Sequence, residues 1–425
     1  MSKKLRLGIA GLGTVGVGVA KLLMENAELL SARAGQDLEI VAVCARDQRK
    51  DRGIDVSKIG WLTDPVALAQ RDDVDVFVEL IGGDTGPAYD SVVAALKMGK
   101  IVVTANKALV AVHGVELSAL LNNYGGQLFY EAAVAGGIPA IKLAREGIAA
   151  NQIDSVFGIL NGTCNYILTT MEADQRDFDD VLQGAIELGY AEAEPSVDVD
   201  GWDAAHKLAI LTAICFGGAP DMDHLSVSGI RSVTLQTISM ADELGYKIKL
   251  LGFAARDEQP FVAACAVPKS SSIAAVDGSF NAVVFNGRPV DEIMVRGRGA
   301  GEGPTASAVV ADLIDVARGI LPPIFGGTPT NNVTQRSDVM AKQMVTFNVK
   351  DEPGVIAAIS DCLSKSGLSV ESMLQRAGDG EQAYVMIVTH PTDASSVSEA
   401  QEILSQKPFM HRQPAFYRVV ASEQL

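Results

Sequence analysis

No apolar run in this sequence approaches the ~20 residues that a membrane-spanning helix requires. The N-terminus, MSKKLRLGIAGLG, turns into glycine-rich sequence too soon to hold the long apolar core of a secretory leader. Cysteine is scarce as well. Cys44, Cys164, Cys215, Cys265 and Cys362 are scattered, odd in number and without C-x-x-C spacing. That pattern excludes a disulfide frame or a cysteine zinc site and predicts reduced core thiols in a cytoplasmic protein. Basic residues are outnumbered, 35 to 52, leaving a net charge of −17, which argues against nucleic acid or an anionic membrane as a partner. There is no short-period repeat and no low-complexity tract.

What is present is an α/β pattern. At 425 residues the chain is long enough for two or three domains of ~150 residues. Short apolar runs LRLGIA (5–10), EIVAVC (39–44), DVFVEL (75–80), KIVVTA (100–105) and QLFYEA (127–132) alternate with helix-like segments. This order predicts a parallel sheet with helices on both faces, a Rossmann-type domain over 1–140. From 141 to 302 the runs IDSVFGILNGT, FVAACAV and NAVVFNG and helices near 175–189 and 202–217 predict a second, α+β domain. The stretch GAGEGPTASAVVADLIDVARGI (299–320) reads as a glycine-rich turn entering an amphipathic helix, which is expected to return to the first domain at about 303–327. Residues 328–343 are polar and read as a linker. The tail, 344–425, has the β-α-β-β-α-β order of a ferredoxin-like split motif.

Gly11, Gly13 and Gly16 spell G-x-G-x-x-G between the first run and a helix. In that setting Gly11 permits the tight turn, Gly13 lets the backbone approach a pyrophosphate, and Gly16 allows close packing. The helix N-terminus at Thr14 and Val15 supplies N–H groups for the anion. Strand, motif and helix together outweigh the bland alternative of a glycine turn without a ligand. EIVAVC ends in Cys44 and Ala45 and is followed by Arg46, with Arg49 and Lys50 close behind. A guanidinium at this place suits a 2′-phosphate, so NADP is favoured, although Asp47 could serve NAD. Thr104, Asn106 and Lys107 follow the fourth run, where ligands gather at the carboxyl ends of parallel strands. Alone, Lys107 would read as a strand cap in solvent.

Further on, AIELGYAEAEPSVDVDGWDAAHK places Asp203 and Lys207 at i, i+4 on a helix with Leu208, Leu211 and Cys215 as its apolar stripe. An acidic first turn complements the helix dipole, and an exposed Asp–Lys pair contributes only ~0.3–0.5 kcal/mol. That explains Asp203 and Lys207 but not Glu192 and Asp198 beside them.

This segment resembles the signature of homoserine dehydrogenases, and VVTANKALV, EAAVAGGIP and NGTCNYIL resemble that family's other motifs in its order. The likeness spans the chain, includes an ACT-like tail, and implies that 141–302 is the substrate-binding, catalytic and dimerisation domain. One departure is Glu194, where the family usually carries Asp, Asn or Ser before Pro195. The resemblance implies NAD(P)-linked interconversion of L-homoserine and L-aspartate 4-semialdehyde, in threonine, methionine and isoleucine biosynthesis. By that analogy Lys207 passes the proton at the C4 oxygen, and Lys107 supports that oxygen and the cofactor. Asp203 orients the substrate, Glu192 holds its ammonium group, and Asp198 orients the lysine or its loop; Asp200 reads as solvated. Gly189 and Gly301 join the expected cofactor contacts.

The same resemblance implies a structural sodium ion held by backbone carbonyls of Val134, Gly136 and Ile138 with Glu131 nearby, where a plain interdomain turn is the alternative. It also implies threonine as an effector at the tail's turn Asp351–Val355, and a homodimer or homotetramer. A bare pairing module is the alternative for the tail. Two other functions stay open at this stage. One is a different NAD(P) oxidoreductase, since the nucleotide fold is widely shared; a semialdehyde dehydrogenase would need a cysteine nucleophile, for which Cys164 is weak. The other is a non-catalytic sensor of dinucleotide and amino acid, which would have no use for two lysines and two carboxylates at a hydride site.

Overall fold

Short β-branched runs punctuated by glycine build the first sheet. In the computed structural model, which describes residues 4–192, 194–326 and 339–420, these runs are β1 (Lys4–Ala10), β2 (Asp37–Cys44), β3 (Gly60–Leu62), β4 (Val76–Glu79), β5 (Ile101–Thr104) and β6 (Gln127–Phe129). Their order is β3-β2-β1-β4-β5-β6, with all neighbours parallel. This is the doubly wound order of dinucleotide-binding domains, whose direction reverses between β1 and β4 and opens a crevice at the strands' carboxyl ends. All four residues of β4 are buried, as expected of a parallel strand covered on both faces.

The chain divides into two compact units. The first comprises Met1–Val156, Ala205–Leu225 and Asn281–Asn332; the second comprises Phe157–Ala204, Ser226–Phe280 and Val333–Leu425. In the first, Leu7, Ile9, Val19, Leu23 and Val78 share a core with Val309 and Leu313 of helix Glu302–Arg318. That helix lies against helix Thr14–Glu25 so closely that a Cβ on Gly18 would come within 2.6 Å of the Glu302 Cγ. Each large apolar side chain buried here contributes ~1.5–3 kcal/mol.

In the second unit, six strands run side by side in the order Tyr246–Ala255, Glu258–Pro268, Ala415–Val419, Lys342–Lys350, Gln382–Thr389 and Val370–Ala377. The last four, with helices Val355–Lys365 and Ala394–Ser405, form the expected ferredoxin-like tail around Val345, Ile359, Leu363, Val385 and Leu404. The tail is continuous with the rest of the unit, because Ala415–Val419 pairs in parallel with Glu258–Pro268 (Cys265 opposite Arg418, Ala266 opposite Val419). Most of the linker expected at 328–343 lies outside the described residues. All five cysteines are buried, and none forms a disulfide. Among the described residues no helix is long and apolar enough to cross a membrane.

Candidate functional site

The glycine loop sits at the carboxyl end of β1. Gly11 has φ 101, and a Cβ there would lie 2.4 Å from the Leu80 carbonyl oxygen; one on Gly16 would lie 1.9 Å from the Gly11 carbonyl oxygen. Both positions therefore require glycine. Gly13 is different: a Cβ there would meet nothing within 4 Å, so its missing side chain leaves open space over the loop. Gly13 caps helix Thr14–Glu25 without a side-chain hydrogen bond, which leaves the first-turn N–H groups of Thr14, Val15 and Gly16 available to an anion. The loop thus fits a dinucleotide pyrophosphate. Arg46 is exposed just beyond β2. The alternative ribose ligand, Asp47, uses its carboxylate on the Arg49 N–H (2.8 Å).

Next to this loop, the ends of β4 and β5 are tied by a residue that sequence reasoning passed over. Glu79, fully buried, accepts the Thr104 hydroxyl (2.6 Å) and the N–H groups of Ile81 (2.7 Å) and Gly82 (2.9 Å). Thr104 Oγ1 in turn accepts the Asn106 N–H (2.9 Å). Asn106 donates its amide to the Gly83 carbonyl (2.6 Å) and caps helix Lys107–Tyr124 by accepting the Leu109 N–H (3.1 Å). Lys107 is therefore the first residue of a rigidly capped helix, half-buried. A cation there runs against the helix dipole. Lys207, in the same compact unit as Lys107, is only 7% exposed on helix Trp202–Phe216.

The carboxylates of the signature segment belong largely to the second unit. Asp203, 6% exposed, accepts from Asn161 Nδ2 (2.8 Å), and Asp198 accepts from the same nitrogen (2.7 Å). Cys164 donates its thiol to the Asp198 carbonyl (3.2 Å), a structural contact. Asn161 lies in NGTCNYIL, but nothing in its spacing marked it as a partner of residues about 40 positions away. Gly189 ends helix Phe178–Glu187 in the left-handed conformation (φ 75), as a helix stop favours. The loop that follows is held by Thr163, whose hydroxyl donates to the Tyr190 carbonyl (2.8 Å), and by the stacking of Tyr166 on Tyr190 at 4.5 Å. Glu192 is exposed on that loop. Glu194 accepts the Ser196 hydroxyl and N–H, so the departure at this position still caps the turn. Asp200 pairs with Arg231 (2.5 Å) and is not simply solvated.

The glycine turn after β6 is strained and closely packed. Ala135 and Gly136 are left-handed (φ 55 and 50), and a Cβ on Gly136 would lie 2.5 Å from the Gly299 carbonyl oxygen. The Ile138 carbonyl accepts the Ala140 N–H (2.7 Å). Glu131 accepts the N–H groups of Ile141 (3.1 Å) and Lys142 (2.8 Å), while its own N–H donates to Asp312 (2.9 Å). Burial pushes the Glu131 carboxyl up to about 8 and that of Asp312 up to about 6. Lys142 reaches Asp312 (3.1 Å) and Asp315. Among the described residues no group of three or more His, Cys, Asp or Glu side chains could hold a metal. Gly301 (φ 117) precedes helix Glu302–Arg318.

Comparison with known proteins agrees along the whole chain. Residues 11–131 match the family model of the homoserine dehydrogenase NAD binding domain, residues 139–314 that of homoserine dehydrogenase, and residues 343–409 that of the ACT domain. A homoserine dehydrogenase of Pseudomonas aeruginosa is 41% identical over 418 residues, covering 94% of each chain. The crystal structure of a homoserine dehydrogenase from Thiobacillus denitrificans superposes with a TM-score of 0.91 at 39% identity, covering 98% of each chain. A hyperthermophilic archaeal homoserine dehydrogenase solved with NADPH matches 76% of this chain and 100% of its own, with a TM-score of 0.64 and 26% identity.

Proposed function

Since this chain belongs to the homoserine dehydrogenase family of oxidoreductases, we propose that it interconverts L-homoserine and L-aspartate 4-semialdehyde with NADP(H) in preference to NAD(H). The observation that carries the mechanism is the burial of Asp203 and Lys207 one helical turn apart. Lysine and aspartate are almost never hidden from water without a task or a partner. Reducing an aldehyde builds negative charge on its oxygen, and a positioned ammonium both stabilises and protonates that oxygen. Lys207 gives the proton to the C4 oxygen in reduction and takes it back in oxidation. Lys107 supplies a second positive charge to that oxygen, Asp203 orients the substrate, and the exposed carboxylate of Glu192 receives its ammonium group. A nicotinamide dinucleotide held at Gly11–Gly16 supplies the hydride or accepts it.

The test is direct. L-Homoserine with oxidised cofactor is expected to raise absorbance at the reduced-nicotinamide band; a silent wild-type protein would favour a sensor instead. Arg46 supports the choice of NADP, as does the archaeal relative solved with NADPH. A guanidinium–phosphate contact contributes ~1.5–3 kcal/mol. Arg46→Ala is therefore expected to raise KM for NADP⁺ by roughly 10- to 100-fold and leave KM for NAD⁺ nearly unchanged, read from initial rates with each cofactor.

The turn after β6 fits a monovalent cation in a structural role. No backbone hydrogen bond among the described residues ends on the carbonyls of Val134 and Gly136, and hard cations take such oxygens. Glu131 would add charge nearby. Thermal melts in sodium chloride are expected to lie above those in choline chloride at equal ionic strength, because a ligand of the folded state stabilises it; equal melts would exclude the ion. The ACT domain is read as a threonine sensor at Asp351–Val355 in a homodimer or homotetramer, tested by adding threonine to the same assay. Five buried thiols suit the reducing cytoplasm.

A further inference from the structure

Asn161 holds two carboxylates with one amide group. Its Nδ2 donates to Asp198 Oδ1 at 2.7 Å and to Asp203 Oδ2 at 2.8 Å, while its Oδ1 accepts the Cys164 N–H at 2.8 Å and caps helix Gly162–Asp174. The side chain is 3% exposed. An amide carries two donor hydrogens and one acceptor oxygen, and here every part is engaged. The opposite orientation of the amide would turn its oxygen toward two carboxylates and its donors toward an N–H, so only one arrangement is compatible with its surroundings.

We propose that Asn161 is a positioning residue for the dehydrogenase reaction: it sets the separation and orientation of the Asp198 and Asp203 carboxylates, and through Asp203 the placement of the substrate. The proposal rests on the catalytic reading above and adds a residue to it.

Both ends of the clasp are anchored. On the Asp198 side, the Cys164 thiol holds the Asp198 carbonyl (3.2 Å), and the Val199 carbonyl accepts the Ile230 N–H (2.9 Å). Gly229 lies so close to that turn that a Cβ on it would stand 2.0 Å from the Val199 oxygen. On the other side, Asp203 belongs to the first turn of helix Trp202–Phe216. The amide donates to both carboxylates and so bridges these two anchors. Two carboxylates drawn to one point repel unless a donor lies between them. Without the amide the pair loses a donor that lies between the two carboxylates.

Capping and clasping can be separated by substitution. Serine keeps an N-cap oxygen at little cost, but its single, shorter O–H cannot reach two carboxylates. Alanine loses both roles. Rates are normalised to cofactor sites titrated by NADPH fluorescence, so misfolded protein does not count. For Asn161→Ser the expected result is a Tm near wild type, an unchanged NADPH Kd, and a kcat/KM for homoserine lower by roughly 10- to 100-fold, the cost of an ångström-scale misplacement. Asn161→Ala is expected to show the same loss per site and a lower Tm. Wild-type kcat/KM per site in Asn161→Ser overturns the clasp and leaves Asn161 a helix cap. A wild-type protein that never turns over homoserine overturns the catalytic reading instead. In that event the crystal structure of Asn161→Ser still decides: carboxylates moved apart support the clasp, and unmoved carboxylates overturn it.

Discussion

Lys207→Ala is expected to lower kcat for homoserine oxidation by about 10²–10⁴-fold, the range that a positioned proton donor contributes. Alanine is the strongest helix former, so helix Trp202–Phe216 should persist. Removing a buried ammonium leaves its partners uncompensated and lowers stability, so rates are normalised to cofactor sites titrated by NADPH fluorescence. The cofactor loop lies on other elements, at the end of β1, and KM for NADP⁺ should hold. The loss therefore belongs to kcat, and stopped-flow mixing should show it in the first turnover. Lys107→Ala should cost less in the proton step and more in cofactor KM, because Lys107 supports the oxygen and the cofactor without carrying the proton. Unimpaired turnover by Lys207→Ala would remove the proposed acid–base group.

Gly16→Ala is expected to act at the other end of the chemistry. The new methyl would stand 1.9 Å from the Gly11 carbonyl oxygen, far inside van der Waals contact, and the obstacle is backbone. The loop must shift by more than an ångström, which moves the N–H groups of Thr14 and Val15 off the pyrophosphate. Misplacement on that scale costs on the order of 10²-fold, expected here in kcat/KM for NADP⁺. Titration by NADPH fluorescence should show the same weakening. Gly13→Ala is the informative contrast. Its methyl meets no protein atom within 4 Å, so the apo fold should be unaffected and only dinucleotide binding should fall. Equal binding by both variants and the wild type would mean that the loop is an empty turn.

Much of the first sheet was legible because parallel strands buried on both faces are continuous apolar runs; VFVE of β4 is the plainest case. The tail was legible for the complementary reason, since its strands and helices alternate in period and are separated by glycine and proline. Other strands were hidden by charge. Tyr246–Ala255 reads YKIKLLGFAA, and its two lysines break the apolar pattern. Yet Lys249 is buried, its ammonium bound to Asn165 (3.1 Å), the Val276 carbonyl (2.7 Å) and Asp277 (2.9 Å). Local sequence carries no sign of such distant partners. The edge strand Asp291–Arg298, DEIMVRGR, is masked in the same way, and β3 is only three residues long.

The candidate site divides along the same line. Gly11, Gly13 and Gly16 could be named from local spacing, whereas Lys107, Asp203 and Lys207 were marked by the family resemblance, because spacing alone left them a strand cap and a helix-start pair. Glu79 and Asn161 could not, because their roles lie in hydrogen bonds to residues 25 and about 40 positions away. A carboxylate closing an apolar strand ahead of Gly82 and Gly83 was the one available hint for Glu79. For Asn161 the sequence offered only its place in the motif NGTCNYIL, which carries no sign of Asp198 or Asp203 as partners.

The structure of the ternary complex with NADP⁺ and L-homoserine would test the central claim most directly. The account predicts Lys107 Nζ and Lys207 Nζ both within hydrogen-bonding reach, about 2.7–3.2 Å, of the substrate's C4 hydroxyl oxygen, with Asp203 on the same ligand. Homoserine bound away from either ammonium, or the two lysines facing separate regions of solvent, would contradict it.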